Sequence, residues 1–188
     1  MKQLNFNPMS IPLVNKAFVF AHAAHGAVGQ KRKYSDEDYI VHPVEVMTIV
    51  AGVEHTPEML AAALLHDTVE DTEISIEMIE EMFGAVVMNH VSWLTDISKP
   101  GDGNRAVRKA IDRAHTLLAP YQSQTIKVAD LIANTKDIVY ADPNFGVVYM
   151  KEKRAMLEGM VADPKLMEIA WKLVTDWEDS LKKDKDNE

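Results

Sequence analysis

The sequence contains no cysteine. Disulfide bonds, thiolate metal sites and a cysteine nucleophile are therefore excluded. Any metal that this chain binds must use histidine, carboxylate, carbonyl or water ligands, which suit the harder divalent ions. The sequence also lacks an apolar run of the roughly 20 residues that a transmembrane helix needs, so no membrane partner is expected. Its first residues have no apolar signal-peptide core, which predicts a cytoplasmic protein.

The charge balance is acidic, with a net charge of −9 over 188 residues. This balance argues against a nucleic-acid polymer as a partner. Hydrophobic residues make up 47% and charged residues 26% of the chain, a composition typical of one domain with a sizeable core. We predict a single domain over residues 1–182, followed by a charged, disordered tail over residues 183–188. The sequence leaves open whether the protein forms a homo-oligomer.

Helical patterns and helix boundary signals recur along the chain. Pro43, Pro57 and Pro164 are typical of first helical positions, and Thr56 is a good N-cap before the second of them. Gly84 is expected to end a short helix in the left-handed αL conformation. No segment shows the alternating pattern of a strand, so we predict an all-α bundle of about eight to ten helices. The longer predicted helices cover residues 11–27, 86–94, 104–118, 123–140, 146–161 and 164–180.

An apolar segment turns abruptly acidic in ALLHDTVEDT, which contains His66, Asp67, Glu70 and Asp71. On a continuous helix these four side chains would share one broad face. Three carboxylates at the end of a buried helix are costly unless a positive charge lies among them, and a divalent cation would meet that need. A His-Asp pair alone is more often a capping or surface feature.

Two further residues strengthen the case for a metal site. His42 lies in YIVHPVEV at a junction between loop and helix, and Asp130 lies in the mostly apolar TIKVADLIANT. His42 could instead be an N-cap, and Asp130 could form a salt bridge with Lys127 one turn earlier. Each alternative is reasonable alone, but together they leave the acidic cluster unexplained.

The order His…His-Asp…Asp resembles the ligand pattern of the HD phosphohydrolase superfamily. The blocks GQKRKYSDEDYIVHPVEV, ALLHDTVEDT and IKVADLIANT resemble those of the RelA/SpoT hydrolase domain and of the small stand-alone alarmone hydrolases. The similarity runs from about residue 17 to at least residue 134. It implies a compact multi-helix HD-domain fold with a central metal site.

The resemblance also implies roles for individual residues. Glu70 and Asp71 match the catalytic acidic pair that positions or activates the attacking water. Arg32, Lys33 and Asn134 match substrate-binding positions. The metal, usually Mn²⁺ in the family, would be held by His42, His66, Asp67 and Asp130. Such a donor set also suits Fe²⁺, Co²⁺ or Zn²⁺, so the residues alone do not fix the ion.

A basic run departs from the family pattern. Residues 99–113 contain five basic residues against two aspartates. Arg105, Arg108 and Lys109 could form a wall that binds substrate phosphates, or they could be a solvated helix face. The expected function is Mn²⁺-dependent removal of the 3′-pyrophosphate from guanosine alarmones. The alternatives are hydrolysis of another nucleotide, such as a nucleoside triphosphate or a phosphorylated dinucleotide, and a non-catalytic nucleotide sensor.

Overall fold

The structure is a computed structural model that describes residues 7–185, apart from the side chains of residues 136 and 183–185. Over this range the chain forms ten α-helices and no β-strand, which confirms the all-α prediction. None of the helices in residues 7–185 has the length and hydrophobicity to cross a membrane. Backbone contacts divide the chain into two compact units, residues 1–96 and 97–188.

The first unit is built around a short helix that is buried except in its first turn. Every residue from 59 to 65 is buried, so this helix has no polar face and lies at the centre of its unit. It starts as predicted, because the Thr56 side chain accepts a hydrogen bond from the Met59 N–H and Pro57 follows the cap. The helices of the unit are α1 (Pro12–Ala27), α2 (Val41–Val50), α3 (Pro57–Leu65), α4 (Thr68–Asp71), α5 (Ile76–Phe83) and α6 (Ala85–Leu94). Helices α1, α2 and α6 pack against α3.

Helix α2 begins earlier than the sequence predicts. Pro43 is its third residue, not its first, because the turn before it is already helical: the His42 N–H bonds the Tyr39 carbonyl at 3.0 Å. A proline is still accommodated there, since the first N–H groups of a helix have no partner within it. The N-cap is Ile40, so the alternative reading of His42 as an N-cap is wrong.

Gly84 ends α5 as predicted, but its conformation differs from the predicted αL cap. Its φ is +84° and its ψ is 164°, because the chain passes directly into α6 at the next residue. An αL residue would have a ψ near about +45° and would turn the chain elsewhere. A positive φ with an extended ψ is a conformation that essentially only glycine adopts.

The second unit contains the longer helices. They are α7 (Arg105–Leu117), α8 (Tyr121–Ala141), α9 (Pro143–Leu157) and α10 (Pro164–Lys185). Helix α8 packs against α9 and α10. Helix α9 begins earlier than predicted because the Asp142 carboxylate accepts from the Phe145 N–H and Pro143 takes the first position. Helix α10 continues to Lys185, and residues 186–188 of the predicted tail lie outside the described residues.

Candidate metal centre

Three of the four predicted metal ligands meet in the first unit. One side-chain atom from each of His42, His66 and Asp67 lies within 4.8 Å of the other two. The Asp67 Oδ2 is 3.0 Å from the His66 Nε2 and 3.7 Å from the His42 Nε2. Both histidines are buried, at 1% and 2% exposure, whereas the Asp67 side chain is 20% exposed. The cluster is therefore an interior site with one partly accessible ligand.

His66 and Asp67 lie at a break between two helices. Helix α3 ends at Leu65 and α4 begins at Thr68, so the two residues form the junction. The Thr68 hydroxyl donates to the Leu65 carbonyl at 2.6 Å across this junction. The acidic segment is therefore not one continuous helix with α3, so the shared face that a continuous helix would give does not apply. The Thr68 hydroxyl supplies a side-chain alternative to the regular helical bonding at this point.

The chemistry of the donor set fits a divalent cation. The His66 Nδ1 lies 2.8 Å from the Ala63 carbonyl oxygen. A carbonyl can only accept, so Nδ1 carries a proton, and Nε2 is the ring atom that a neutral His66 would offer to a metal. This Nε2 lies 3.0 Å from the Asp67 carboxylate. A divalent cation can be bound by both atoms, and imidazole with carboxylate is a common ligand set for such ions.

Tyr39 is a member of the site that sequence analysis did not assign. Its hydroxyl donates to the Asp67 Oδ2 at 2.6 Å. Its ring also lies 4.7 Å from the His25 ring and 5.9 Å from the His42 ring, between centroids. A hydrogen bond to a ligating carboxylate fixes the direction of that carboxylate. No local pattern distinguishes a tyrosine that bonds a carboxylate from one that only packs.

The two predicted catalytic carboxylates are exposed and each is held by a different segment. Glu70 Oε1 accepts from the Asp96 N–H at 2.5 Å. Asp71 Oδ2 accepts from the Gln30 side-chain amide at 2.8 Å. Both residues belong to α4, directly after the metal-ligand junction. They are therefore positioned beside the cluster before any substrate binds, and their catalytic role stays a prediction.

His25, on α1, is connected to Asp71 through the Gln30 side chain. Its Nδ1 is 2.6 Å from the Gln30 Oε1, and its side chain is 1% exposed. Burial lowers the pKa of the His25 imidazole, although the Gln30 hydrogen bond and the charges of Asp67 and Asp71 act in the opposite direction. The ring is therefore favoured in its neutral form.

The predicted substrate residues Arg32 and Lys33 lie in the loop between α1 and α2. The Arg32 N–H bonds the Glu37 carbonyl at 2.9 Å, and Lys31 pairs with Asp38 at 2.5 Å across the loop. These contacts close the loop onto itself, and Tyr39 directly follows it. The Lys33 ammonium lies over the Tyr34 ring, 4.8 Å from its centroid. Substrate binding by Arg32 and Lys33 stays a prediction.

Asp130 and Asn134 lie one turn apart on α8 of the second unit. The Asp130 carboxylate is 3.1 Å from the Lys127 ammonium and accepts from the Asn134 amide at 2.6 Å. The salt bridge that sequence analysis considered as an alternative is thus present. It does not exclude a metal role, because a carboxylate has two oxygens with several lone pairs. The assignments of Asp130 to the metal and of Asn134 to the substrate stay predictions.

The basic run makes contacts within the second unit. Arg105 donates twice to Glu152, at 2.9 and 2.8 Å, and its guanidinium lies over the Phe145 ring. Arg108 donates to the Gly103 carbonyl at 3.3 Å. Lys109 is 3.8 Å from the buried Asp112. These contacts are compatible with either reading of the run, so phosphate binding by Arg105, Arg108 and Lys109 stays a prediction.

Comparison with known proteins places the chain among HD-domain proteins. A family model described as HD domain matches residues 17–176. A probable guanosine-3′,5′-bis(diphosphate) 3′-pyrophosphohydrolase of Synechocystis sp. is 34% identical over 134 residues, which is 70% of this chain and 17% of that protein. The GTP pyrophosphokinase rsh of Brucella ovis is 31% identical over 184 residues, 87% of this chain and 24% of that protein. The chain thus spans a quarter or less of the length of these relatives.

A solved structure has the same fold. It is described as a metazoan ortholog of SpoT that hydrolyzes ppGpp and plays a role in starvation responses. The TM-score is 0.78 at 24% identity, and the match covers 88% of this chain and 95% of the other. At this identity the likeness establishes the all-α HD fold of the chain.

Proposed function

This chain belongs to the HD domain family, and we propose that it is a metal-dependent phosphohydrolase that removes the 3′-pyrophosphate from guanosine 3′,5′-bis(diphosphate)-type alarmones. The observation that carries the proposal is the cluster of His42, His66 and Asp67, in which the His66 Nε2 lies 3.0 Å from the Asp67 carboxylate. The similarity to the probable guanosine-3′,5′-bis(diphosphate) 3′-pyrophosphohydrolase of Synechocystis sp. supports the choice of substrate.

The metal would be held by His42, His66 and Asp67, with Asp130 as the fourth ligand implied by the family pattern. Mn²⁺ is the ion that the resemblance favours. When bound, a divalent ion lowers the pKa of a water molecule and neutralises phosphoryl oxygens. Tyr39 would hold the Asp67 carboxylate in place through its hydroxyl. The Ala63 carbonyl would hold the His66 ring by its Nδ1, so that Nε2 is the atom directed toward the metal.

The acidic pair would move the proton. A carboxylate of Glu70 or Asp71 takes a proton from the attacking water, which bonds to the phosphorus attached to the 3′ oxygen. The bond between that phosphorus and the 3′ oxygen breaks, and the oxygen takes a proton to become a hydroxyl. Pyrophosphate leaves with the oxygen of the water. No covalent intermediate on the protein is needed.

The remaining predicted contacts would bind the nucleotide. Arginine and lysine offset phosphate charge, and arginine can do so with two parallel hydrogen bonds. Asn134 would donate an amide hydrogen to the substrate. The residues proposed for substrate binding are Arg32, Lys33, Asn134, Arg105, Arg108 and Lys109.

A substrate panel tests the proposal. Protein loaded with Mn²⁺ is incubated with the alarmone, a nucleoside triphosphate and a phosphorylated dinucleotide, and the products are separated by anion-exchange chromatography. We expect GDP and pyrophosphate from the alarmone, and a loss of at least about 100-fold in kcat for Asp67→Asn. Asp176→Asn, an exposed carboxylate on α10, is the matched control and should keep full activity.

Two outcomes would overturn the proposal. If another nucleotide is hydrolysed in preference to the alarmone, that nucleotide and not the alarmone is the substrate. Binding of the alarmone without turnover, unchanged by Glu70→Gln, would instead favour a nucleotide sensor, because a sensor needs the pocket but not a proton acceptor.

A further inference from the structure

A chain of two hydrogen bonds connects the interior of the first unit to Asp71. The His25 Nδ1 lies 2.6 Å from the Gln30 Oε1, and the Gln30 Nε2 donates to the Asp71 Oδ2 at 2.8 Å. We propose that Gln30, anchored by His25, is the positioning residue that orients the Asp71 carboxylate toward the attacking water. This proposal rests on the proposed function, in which Asp71 is one of the proton-accepting pair.

Chemistry fixes the direction of every bond in this chain. A carboxylate only accepts, so the amide nitrogen of Gln30 must face Asp71, which leaves its oxygen toward His25. The amide oxygen only accepts as well, so the His25 Nδ1 must carry the proton. A flipped Gln30 amide would put its oxygen against the Asp71 carboxylate and its NH₂ against the protonated Nδ1. The arrangement therefore has one satisfied orientation.

The backbone of Gln30 is anchored on both sides. Its N–H bonds the His25 carbonyl at 3.0 Å, and its carbonyl accepts from the Tyr39 N–H at 3.4 Å. Gly29, with a φ of +65°, makes the tight turn that brings Gln30 back beside α1. Gln30 is thus attached to the helix that carries His25 and to the residue that bonds Asp67.

The three linked residues differ in how exposed they are, which explains why Asp71 needs a contact that holds it. His25 is 1% exposed, Gln30 is half-buried and Asp71 is exposed. An exposed aspartate otherwise samples several rotamers, and a displacement of about 1 Å of a catalytic group can cost about 100-fold in rate. Because Gln30 bonds both the buried His25 ring and Asp71, it restricts the orientation of a carboxylate that would otherwise be mobile.

His25 also provides a readout that needs no substrate. Its Nε2 is buried and has no hydrogen-bond partner among residues 7–185. The tautomer of the neutral ring is then set by Gln30 alone, through the bond to Nδ1. The ¹⁵N chemical shifts of the ring in the wild-type protein should report a proton on Nδ1. Gln30→Leu removes the acceptor, so the Nδ1–H preference should be lost.

Kinetics distinguish a positioning role from a structural one. For Gln30→Leu we expect kcat to fall by about 10- to 100-fold while KM changes by less than about threefold. In an Asp71→Asn background the same substitution should cause no further fall, because the group that it positions is already lost. Gln30→Glu should be at least as damaging, since it brings a second carboxylate against Asp71. Gln122→Leu, an exposed glutamine on α8, is the matched control.

Three results would overturn the proposal. They are a kcat of Gln30→Leu within threefold of wild type, an equal fall in the presence and absence of Asp71→Asn, or a proton on Nε2 of His25 in the wild-type protein. The tautomer is measured without substrate, so it decides the arrangement even where Gln30→Leu fails to fold. It is also independent of alarmone turnover, so a failure of the proposed function is recognised separately.

Discussion

Lys153 is a buried charged residue, and replacing it should change how the free energy of unfolding depends on pH. It lies on α9 with 1% of its surface exposed, and its ammonium donates to the Thr135 hydroxyl at 2.7 Å and to the Leu131 carbonyl at 3.4 Å. Burial lowers its pKa from 10.5 to about 8, although the charge of Asp130 acts in the opposite direction. The folded protein therefore holds this proton less tightly than the unfolded chain does.

The sign and size of the effect follow from linkage. Below pH 8 both states carry the proton, so the full cost of burying the charge, about 3 kcal/mol, is present. Between pH 8 and 10.5 the unfolded state binds more protons than the folded state, so this cost is relieved as the pH rises. The free energy of unfolding of the wild type should gain about 2 to 3 kcal/mol from Lys153 between pH 7 and 10.

Lys153→Met isolates this contribution, because every other titrating group cancels in the difference between the two proteins. We measure urea unfolding of the metal-free proteins at pH 7, 8, 9 and 10. The stability of wild type relative to Lys153→Met should rise by about 2 to 3 kcal/mol over this range. Lys151→Met, at an exposed position on the same helix, should show no such pH dependence. A difference between wild type and Lys153→Met that stays constant with pH would refute the reasoning.

Three other perturbations test individual contacts. Asp112→Ala removes an acceptor of two backbone N–H groups and the Ser98 hydroxyl, and should lower the free energy of unfolding by about 2 to 4 kcal/mol in urea; a loss under 1 kcal/mol contradicts this. Mn²⁺ added after chelation should raise the Tm of wild type but not that of Asp67→Asn, by calorimetry; equal shifts exclude Asp67 as a ligand. Arg105→Met removes an exposed ion pair and should change the free energy of unfolding by under about 1 kcal/mol. The KM for the alarmone should rise about tenfold in this variant. An unchanged KM would contradict a role of Arg105 in substrate binding.

The parts of the fold that could be predicted from the sequence are those set by local interactions. Thr56 caps α3 through its own side chain, and Pro57 follows at the first helical position, so the start of this helix is set by two adjacent residues. The predicted start of α2 was wrong because the helix begins at a turn in which the backbone carbonyls of Asp38 and Tyr39 accept hydrogen bonds. No side-chain signal marks that turn.

The candidate site was predictable to the extent that its ligands have a recognisable order and spacing. The contacts that orient those ligands were not, because they join residues far apart in sequence: Tyr39 to Asp67 across 28 positions and Gln30 to Asp71 across 41. Such pairs arise from the packing of α1 and the following loop beside α4. The burial of Lys153 was not predictable either, since a lysine on a helix is ordinarily expected to be exposed.

The fate of the oxygen in the product tests the central claim most directly. Mn²⁺-loaded protein hydrolyses the alarmone in ¹⁸O-labelled water, and mass spectrometry locates the label in the products. A metal-dependent hydrolase that breaks the bond between phosphorus and the 3′ oxygen releases pyrophosphate with one labelled oxygen, leaves GDP unlabelled and loses this activity in Asp67→Asn. Labelled inorganic phosphate, labelled GDP or equal activity of the variant would contradict the account.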